Sequence, residues 1–363
     1  MTLRREILLR SVDVPFHRSF RLLGRPVIAP FQLTFAVTYR CLNLCRTCHS
    51  FSKSHTKELS LKEYAAMFDK MNFTPFCLTF TGGEPFMRDD FGKIAGLACK
   101  KLAPPLVIIE TCGDQPDRIK NEIQTLANYY RDTQFLVWIS MDGVREELDS
   151  MRGGVPESFE TVLKSYQSLK QVAAPNLLVG FHILMSRFNA RFAKRLLEDV
   201  FMLYPDLVSF DAAFGCEALG AVGVDVMPEF DELDEIAKLY FQKLSALRGR
   251  SSIRILKHFL ERRTEIMLDN IGKMKRTRSC LAGHASLYID PAGSVRDCPV
   301  AAREMGDLRE NQFDLERILK SETARRVRQQ VGSSECFCGM SSPALSNIFL
   351  SPTEYIKLAG ASL

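Results

Sequence analysis

The chain has 363 residues, of which 46% are hydrophobic and 25% are charged, and its formal net charge is +5. A chain of this length can bury a large core and suits one large domain plus a small one. No apolar run is long enough to cross a bilayer, and the start of the chain has no apolar segment or cleavage site of the secretory type. These features argue against a membrane-spanning or exported protein, and we expect a cytoplasmic one.

The first 31 residues form a basic N-terminal extension in which six arginines stand among apolar residues, namely Arg4, Arg5, Arg10, Arg18, Arg21 and Arg25. Such a segment could be an amphipathic helix on a membrane surface, which would give the protein a peripheral membrane contact. We favour a segment packed on the main domain, because runs of charge usually mark solvated faces.

From residue 32 to residue 250, short apolar runs alternate with helical patterns. The predicted strands are Leu33–Val37, Cys77–Phe80, Pro105–Glu110, Phe135–Ser140, Leu177–Leu184 and Leu207–Phe214. The predicted helices lie near 61–71, 90–101, 117–130, 157–173, 189–203 and 231–247. Six repeats of strand and helix predict an α/β fold, a partial (β/α)6 TIM-like barrel, with its sites at the C-terminal ends of the strands.

The remainder of the chain changes character. Residues 251–278 are predicted as a bridging helix, and residues 279–363 as a small C-terminal α+β domain. In that domain the segments His284–Asp290 and Ser294–Val300 flank a turn and predict a β-hairpin, and a helix follows near 314–330.

Eleven cysteines are many for a chain without an export signal. In a reducing compartment, clustered cysteines indicate metal or redox work rather than disulfides. One group follows the first predicted strand, and it consists of Cys41, Cys45 and Cys48. The second group falls in the last quarter of the chain, and it consists of Cys280, Cys298, Cys336 and Cys338.

The first group has the spacing C-x3-C-x2-C. Three thiolates on one tight loop can hold three irons of a [4Fe–4S] cluster, which leaves the fourth iron open to a small molecule. The alternative is a zinc ion with His49 as the fourth ligand, but structural zinc usually takes two spaced pairs of ligands. The spacing therefore favours an iron–sulfur cluster.

Two polar motifs follow other predicted strands. The second strand leads into the run Gly82, Gly83, Glu84 and Pro85. Its glycines let the backbone approach a ligand, and its carboxylate can accept hydrogen bonds from an ammonium group. After the fourth strand, Ser140 and Asp142 could bind a ribose diol, although an ordinary polar turn explains them equally well in isolation.

Taken as a set, these motifs resemble the radical S-adenosylmethionine (SAM) superfamily, over about residues 33–355. The resemblance implies that Cys41, Cys45 and Cys48 hold the cluster that binds SAM. It also implies that the glycine motif binds the methionine amino group and that the Ser140–Asp142 motif binds the ribose. Arg152 would then orient the SAM carboxylate or Asp142, with a surface salt bridge as an equal alternative.

The C-terminal cysteines resemble those of the SPASM/Twitch domain that many radical SAM enzymes carry. Cys280 and Cys298 bracket the predicted hairpin, and Cys336 and Cys338 supply two more thiols. Four cysteines suffice for one auxiliary [4Fe–4S] cluster, which matches the shorter Twitch form; a zinc ribbon is the alternative.

Two other cysteines are candidates for a catalytic role. Cys112 follows the third predicted strand and Cys216 the sixth, so that either thiol could donate a hydrogen atom to a substrate radical. For both we favour a structural role. His182, inside the fifth strand, is interpreted as a core residue with its hydrogen bonds satisfied.

The resemblance implies an enzyme that cleaves SAM reductively to a 5′-deoxyadenosyl radical. This radical abstracts a hydrogen atom from a small-molecule, sugar or peptide substrate, giving oxidation, bond formation or epimerisation. The expected electron donor is a flavodoxin or ferredoxin, and no nucleic acid is expected. The alternatives are a lipid-linked substrate and a non-enzymatic iron–sulfur electron-transfer or sensor protein, the latter leaving the glycine and Ser140–Asp142 motifs without a purpose.

Overall fold

The computed structural model describes residues 5–6, 29–216, 220, 225–333, 336 and 343–361. Its described strands are β1 (Gln32–Thr38), β2 (Cys77–Gly82), β3 (Leu106–Thr111), β4 (Gln134–Ser140), β5 (Leu177–Met185), β6 (Leu207–Ala212), β7 (Ser286–Ile289), β8 (Ser294–Arg296) and β9 (Glu304–Asp307). They form one sheet with the order β6-β5-β4-β3-β2-β1-β7-β8-β9. Strands β1 to β7 pair in parallel, and β8 and β9 add antiparallel.

Helices follow each of the first six strands and cover the outside of the sheet. The described helices are α1 (Leu61–Lys70), α2 (Phe91–Leu102), α3 (Pro116–Tyr129), α4 (Glu146–Met151), α5 (Ser158–Lys170), α6 (Ala193–Met202), α7 (Phe230–Ala246), α8 (Ser251–Gly272), α9 (Leu315–Lys320), α10 (Glu322–Ser333), α11 (Ala344–Phe349) and α12 (Pro352–Ala361). This architecture confirms the predicted α/β class and the partial barrel. None of the helices in the described ranges is both long and apolar enough to cross a membrane.

The first six strands are almost continuously buried, as the residues of β1 illustrate. Strands that are covered on both faces need apolar side chains in unbroken runs, which is what the sequence shows. The outward face packs on the helices, while the inward face surrounds the barrel interior. Polar residues on that inward face are therefore unusual, and they mark the interior as a site.

The C-terminal part differs from the prediction in three respects. Strand β9 is an addition to the predicted hairpin, whose strands are shorter than expected. The single helix predicted near 314–330 is two helices, because Ser321 is extended and its hydroxyl accepts a hydrogen bond from the Ala324 amide at 3.1 Å, starting the second helix. Helices α11 and α12 were not predicted.

The two halves of the chain share the sheet. Strand β7 pairs in parallel with β1, and α8 packs against β6 and against α11 and α12. The predicted boundary at residue 279 therefore lies within one continuous structure, and the division into domains stays a prediction. The basic N-terminal extension lies outside the described residues except for Arg5, Glu6 and residues 29–31.

Candidate active site

A cavity of about 250 Å³ occupies the barrel interior and reaches the C-terminal ends of the strands. Nine of the residues singled out in the sequence line it, namely Cys41, Cys45, Cys48, Gly82, Gly83, Cys112, Ser140, Asp142 and Arg152. Residues from four different strand ends thus meet at one place, as expected for a barrel of this kind.

The three cysteines of the first loop all line this cavity. A hydrogen bond of 3.1 Å from the Cys48 amide to the Cys45 carbonyl closes the loop into a tight turn. Burial raises the pKa of Cys45, and the neighbouring Cys48 and Cys41 add to the rise, whereas the cationic Arg152 opposes it. Burial also raises the pKa of Cys48. Buried thiols that would repel one another as anions keep their protons unless a metal centre binds the thiolates. This set of donors therefore fits an iron–sulfur cluster.

Arg152 ties the cysteine loop to the neighbouring strand ends. Its guanidinium is 2.7 Å from the Asp114 carboxylate and donates to the carbonyls of Cys112 at 2.6 Å and Ser140 at 3.2 Å. Its carbonyl accepts a hydrogen bond from the Leu44 amide at 3.2 Å. Only 3% of the residue is exposed, so the surface salt bridge considered from the sequence is wrong.

The two glycines of the second motif permit close contact between backbones. The amide of Gly83 donates to the Thr38 carbonyl at 2.7 Å, just before the cysteine loop begins. A Cβ atom on Gly82 would lie 2.1 Å from the Thr38 carbonyl oxygen, and one on Gly83 would lie 2.3 Å from that of Arg40. Both positions therefore require glycine, and the motif fixes the start of the cysteine loop.

Glu84 and Pro85 lie behind the cavity wall rather than in the described lining. The Glu84 carboxylate accepts hydrogen bonds from the Phe86 amide at 3.1 Å, the Thr111 hydroxyl at 2.9 Å and the Cys112 amide at 2.6 Å. Burial raises its pKa to about 7. Here Glu84 holds the end of β3 in place, and its direct contact with a ligand stays a prediction.

Cys112 and Cys216 have different surroundings. The Cys112 thiol lines the cavity and donates a hydrogen bond to Cys41, which lowers the pKa of Cys41 and raises that of Cys112 well above the usual value. Cys216 is fully buried, and its thiol donates to the Pro299 carbonyl at 3.1 Å. Cys216 is absent from the described lining, so the structure brings Cys112 but not Cys216 to the cavity.

Ser140 and Asp142 both line the cavity beyond β4. One Asp142 carboxylate oxygen accepts the Leu184 amide at 2.8 Å, which orients the side chain, and burial raises its pKa. The amide of Asn43 donates to Asp114 at 2.5 Å, and its carbonyl oxygen is buried without a hydrogen-bond partner among the described residues. Polar atoms placed in this way suit a polar ligand.

A second cavity, of about 350 Å³, contains the C-terminal cysteines. Its lining includes Cys280, Cys298 and Cys336, whereas Cys338 lies outside the described residues. Burial raises the pKa of Cys298 to about 12. The Arg276 guanidinium lies 4.0 Å from the Cys336 sulfur. The structure therefore places three of the four predicted C-terminal ligands around one cavity.

Four polar residues inside the barrel were not recognised as a site from the sequence. Glu110, His182, Asp211 and Arg263 line the first cavity. The first three interrupt apolar strands at inward-facing positions, and that interruption was the available signal. His182 has the satisfied hydrogen bond that the sequence analysis expected, to Asp211, but it is not a plain core residue, because it lines the cavity and its side chain is 27% exposed.

The geometry agrees with what comparisons with known proteins show. Residues 35–200 match the family model described as the Radical SAM superfamily. The chain is 26% identical to an AdoMet-dependent heme synthase of Oleidesulfovibrio alaskensis over 82% of this chain and 76% of that protein. It is 28% identical to the mycofactocin maturase MftC of Mycobacterium tuberculosis over 80% of this chain and 70% of that protein.

The fold also matches a solved structure. SuiB of Streptococcus suis, solved with its precursor peptide SuiA, superimposes with a TM-score of 0.61 at 12% identity, covering 88% of this chain and 70% of SuiB. Residues 35–200 therefore form a radical SAM domain, which makes the chain an enzyme that uses a [4Fe–4S] cluster and SAM.

Proposed function

We propose that this enzyme is a maturase that removes a hydrogen atom from a peptide or from a cofactor precursor held in the barrel cavity. The observation that carries the proposal is the meeting of Cys41, Cys45 and Cys48 with Gly82 and Asp142 around one cavity. The proposal assigns the three thiols to the cluster and the surrounding polar groups to SAM.

When bound, the cluster and SAM together supply an electron and a carbon-centred radical able to break a C–H bond. The residues of this chain bind the cluster and SAM, orient them and enclose the substrate. Arg152 fixes the cysteine loop through its contacts with Asp114 and Cys112, and Glu84 fixes the end of β3. Ser140 and Asp142 offer a hydroxyl and a carboxylate to the ribose hydroxyls.

The second cavity is assigned an auxiliary [4Fe–4S] cluster held by Cys280, Cys298, Cys336 and Cys338. The convergence of the first three supports this assignment. A peptide or a cofactor precursor as substrate is supported by the names of the relatives, a mycofactocin maturase and a heme synthase. A flavodoxin or ferredoxin is proposed as the source of electrons.

The test is reductive cleavage of SAM by protein prepared without oxygen. The wild-type chain should contain iron and sulfide for two clusters and should form 5′-deoxyadenosine when reduced with dithionite. Cys45→Ala should abolish 5′-deoxyadenosine formation, because a cluster with two thiolates on this loop loses the ligand set that leaves one iron for SAM.

Cys99→Ala is the matched control, since Cys99 is buried in α2 away from both cavities. That variant should keep its iron content and the cleavage activity. Formation of 5′-deoxyadenosine by Cys45→Ala at the wild-type rate would refute the assignment of the first site, and zinc in place of iron would refute the proposed chemistry.

A further inference from the structure

Three side chains form a hydrogen-bonded chain inside the barrel. The His182 Nε2 atom is 3.0 Å from one Asp211 carboxylate oxygen, and the Arg263 guanidinium is 3.2 Å from the other. Arg263 also donates to the Phe210 carbonyl at 2.9 Å and to the Ser209 hydroxyl at 3.1 Å. Asp211 and Arg263 are 3% and 5% exposed, so the pair is fixed in a dry environment.

This pair separates the two cavities. Asp211 and Arg263 appear in the lining of the first cavity, which contains the first cysteine loop, and of the second, which contains Cys280 and Cys298. His182 lies on the side of the first cavity. A charge added to the second cavity should therefore change the proton affinity of His182, because one buried ion pair lies between them.

The surroundings of His182 favour its protonated form. Burial lowers its pKa, but the hydrogen bond that His182 donates to Asp211 and the charges of Asp211, Glu110 and Asp142 outweigh burial, so that the pKa is raised. These groups face the ring from β6, β3 and the end of β4, and Arg263 of α8 stands beyond Asp211. A carboxylate accepts the Nε2 proton, which leaves Nδ1 to bind a second proton.

We propose that His182 is a catalytic residue that accepts a proton from the substrate, with Asp211 and Arg263 as positioning residues that couple it to the second cavity. The inference rests on the proposed function, because the electron acceptor is the auxiliary iron–sulfur cluster of that cavity.

The step balances as a two-electron oxidation of the substrate. Removal of a hydrogen atom breaks a C–H bond and leaves one unpaired electron on the substrate carbon. The neighbouring N–H or O–H bond would then give its proton to His182 Nδ1, so that a C=N or C=O bond forms and His182 becomes a cation. Cys280, Cys298, Cys336 and Cys338 would hold the auxiliary cluster, which would supply the acceptor for the one electron that the substrate loses in this step.

The coupling can be measured without the substrate. In the full-length protein with both clusters and SAM, the midpoint potential of the auxiliary cluster should fall as pH rises, because reduction of the cluster favours protonation of His182. The slope should be negative and at most about 59 mV per pH unit, which is the limit for one proton taken up with one electron. EPR-monitored potentiometry from about pH 6 to about pH 9 gives this slope.

His182→Gln should flatten the slope, and His182→Asn provides a second variant with the same expectation. His258→Gln is the matched control, because His258 lies on α8 beside Glu261 and outside the described lining of both cavities. That control should keep the wild-type slope.

The two possible failures can be told apart. An unchanged slope in both His182 variants, with 5′-deoxyadenosine formation and both clusters intact, would overturn this inference alone. A protein without a cluster at Cys280 and Cys298 would overturn the inference together with the auxiliary-cluster assignment on which it rests.

Discussion

Glu84 and Arg152 are two buried, charged side chains that organise the loops around the first cavity. Glu84 accepts hydrogen bonds from the end of β3, and Arg152 joins the cysteine loop to Asp114 and to the ends of β3 and β4. Burial of a charged group is costly unless it is paired or hydrogen-bonded, and Arg152 meets this condition more completely than Glu84. The difference appears in the raised pKa of Glu84.

The raised pKa of Glu84 makes folding stability depend on pH. Burial raises this pKa from 4.5 to about 7, so the native state keeps a proton that the unfolded state releases over that interval. Stability should therefore fall as pH rises from about 4.5 to about 7 and level off above, by about 3 kcal/mol in all. The side chain of the Glu84→Gln variant cannot ionise, so this variant should lack the contribution. The measurement is the free energy of unfolding in urea, compared between about pH 5 and about pH 7.5.

Glu63→Gln is the control for this experiment. The hydrogen bond from Arg309 lowers the pKa of Glu63 to about 2, so this carboxylate stays ionised over the whole range. Its replacement should leave the pH dependence as in the wild type. Equal slopes for Glu84→Gln and the wild type would show that Glu84 does not hold the proton.

At the scale of elements, the join between β2 and the cysteine loop depends on contact between backbones. A Cβ atom on Gly83 would lie 2.3 Å from the Arg40 carbonyl oxygen, where the backbone has no room to yield. Gly83→Ala should lower the free energy of unfolding by about 3 kcal/mol and displace the loop, which iron content and thermal unfolding would detect. Gly332→Ala, with nothing within 4 Å of the added atom, should be neutral or slightly stabilising.

A Gly83→Ala protein with wild-type iron content and melting temperature would contradict this account of the motif. The comparison with Gly332→Ala removes the general effect of losing a glycine, because both changes reduce the freedom of the unfolded chain in the same way. The two positions differ in the close contacts of an added Cβ atom, which at Gly83 would meet the backbone of Arg40 and Tyr39 and at Gly332 would meet nothing within 4 Å.

The elements that the sequence predicted are those with a strong local pattern. The six parallel strands and their helices follow from apolar runs and helical periodicity, and their ends agree with the structure to within a few residues. The first cysteine loop and the glycine motif were found because their spacing is distinctive. Both signals lie within a few consecutive residues.

The features that the sequence analysis did not predict depend on contacts between segments that are distant in the chain. The ion pair between Asp211 and Arg263 joins β6 to α8, and nothing in the local sequence of α8 marks that arginine. Strand β9 has only four residues and is stabilised by its pairing with β8. The hydrogen bonds of Glu84 to Thr111 and Cys112 were not predicted either, because those residues are far from Glu84 in the sequence, and its contact with a ligand stays a prediction.

At the scale of the whole molecule, the C-terminal part completes the core of the barrel. Strand β7 covers the edge of β1, and the Phe349 ring packs against Phe76 at a centroid distance of 5.2 Å and against Phe31 at 6.0 Å. A chain ending at residue 278 would expose that edge and those rings. We expect it to be insoluble or to lack a cooperative unfolding transition in circular dichroism.

The control for truncation is the full-length Cys298→Ala variant, which removes a proposed cluster ligand but keeps β7 and Phe349. This variant should remain soluble and unfold cooperatively. A soluble chain of residues 1–278 with a sharp transition would show that the barrel folds without its C-terminal part.

The pairing of β1 with β7 has a mechanical consequence. The first cysteine loop is attached to the end of β1, and Cys298 is attached to the hairpin that begins with β7, so the two strands hold both cysteine groups in one rigid frame. Separation of the two cysteine groups would require the hydrogen bonds between β1 and β7 to break. We therefore expect a reactant larger than the cavity of about 250 Å³ to enter it with only part of its volume.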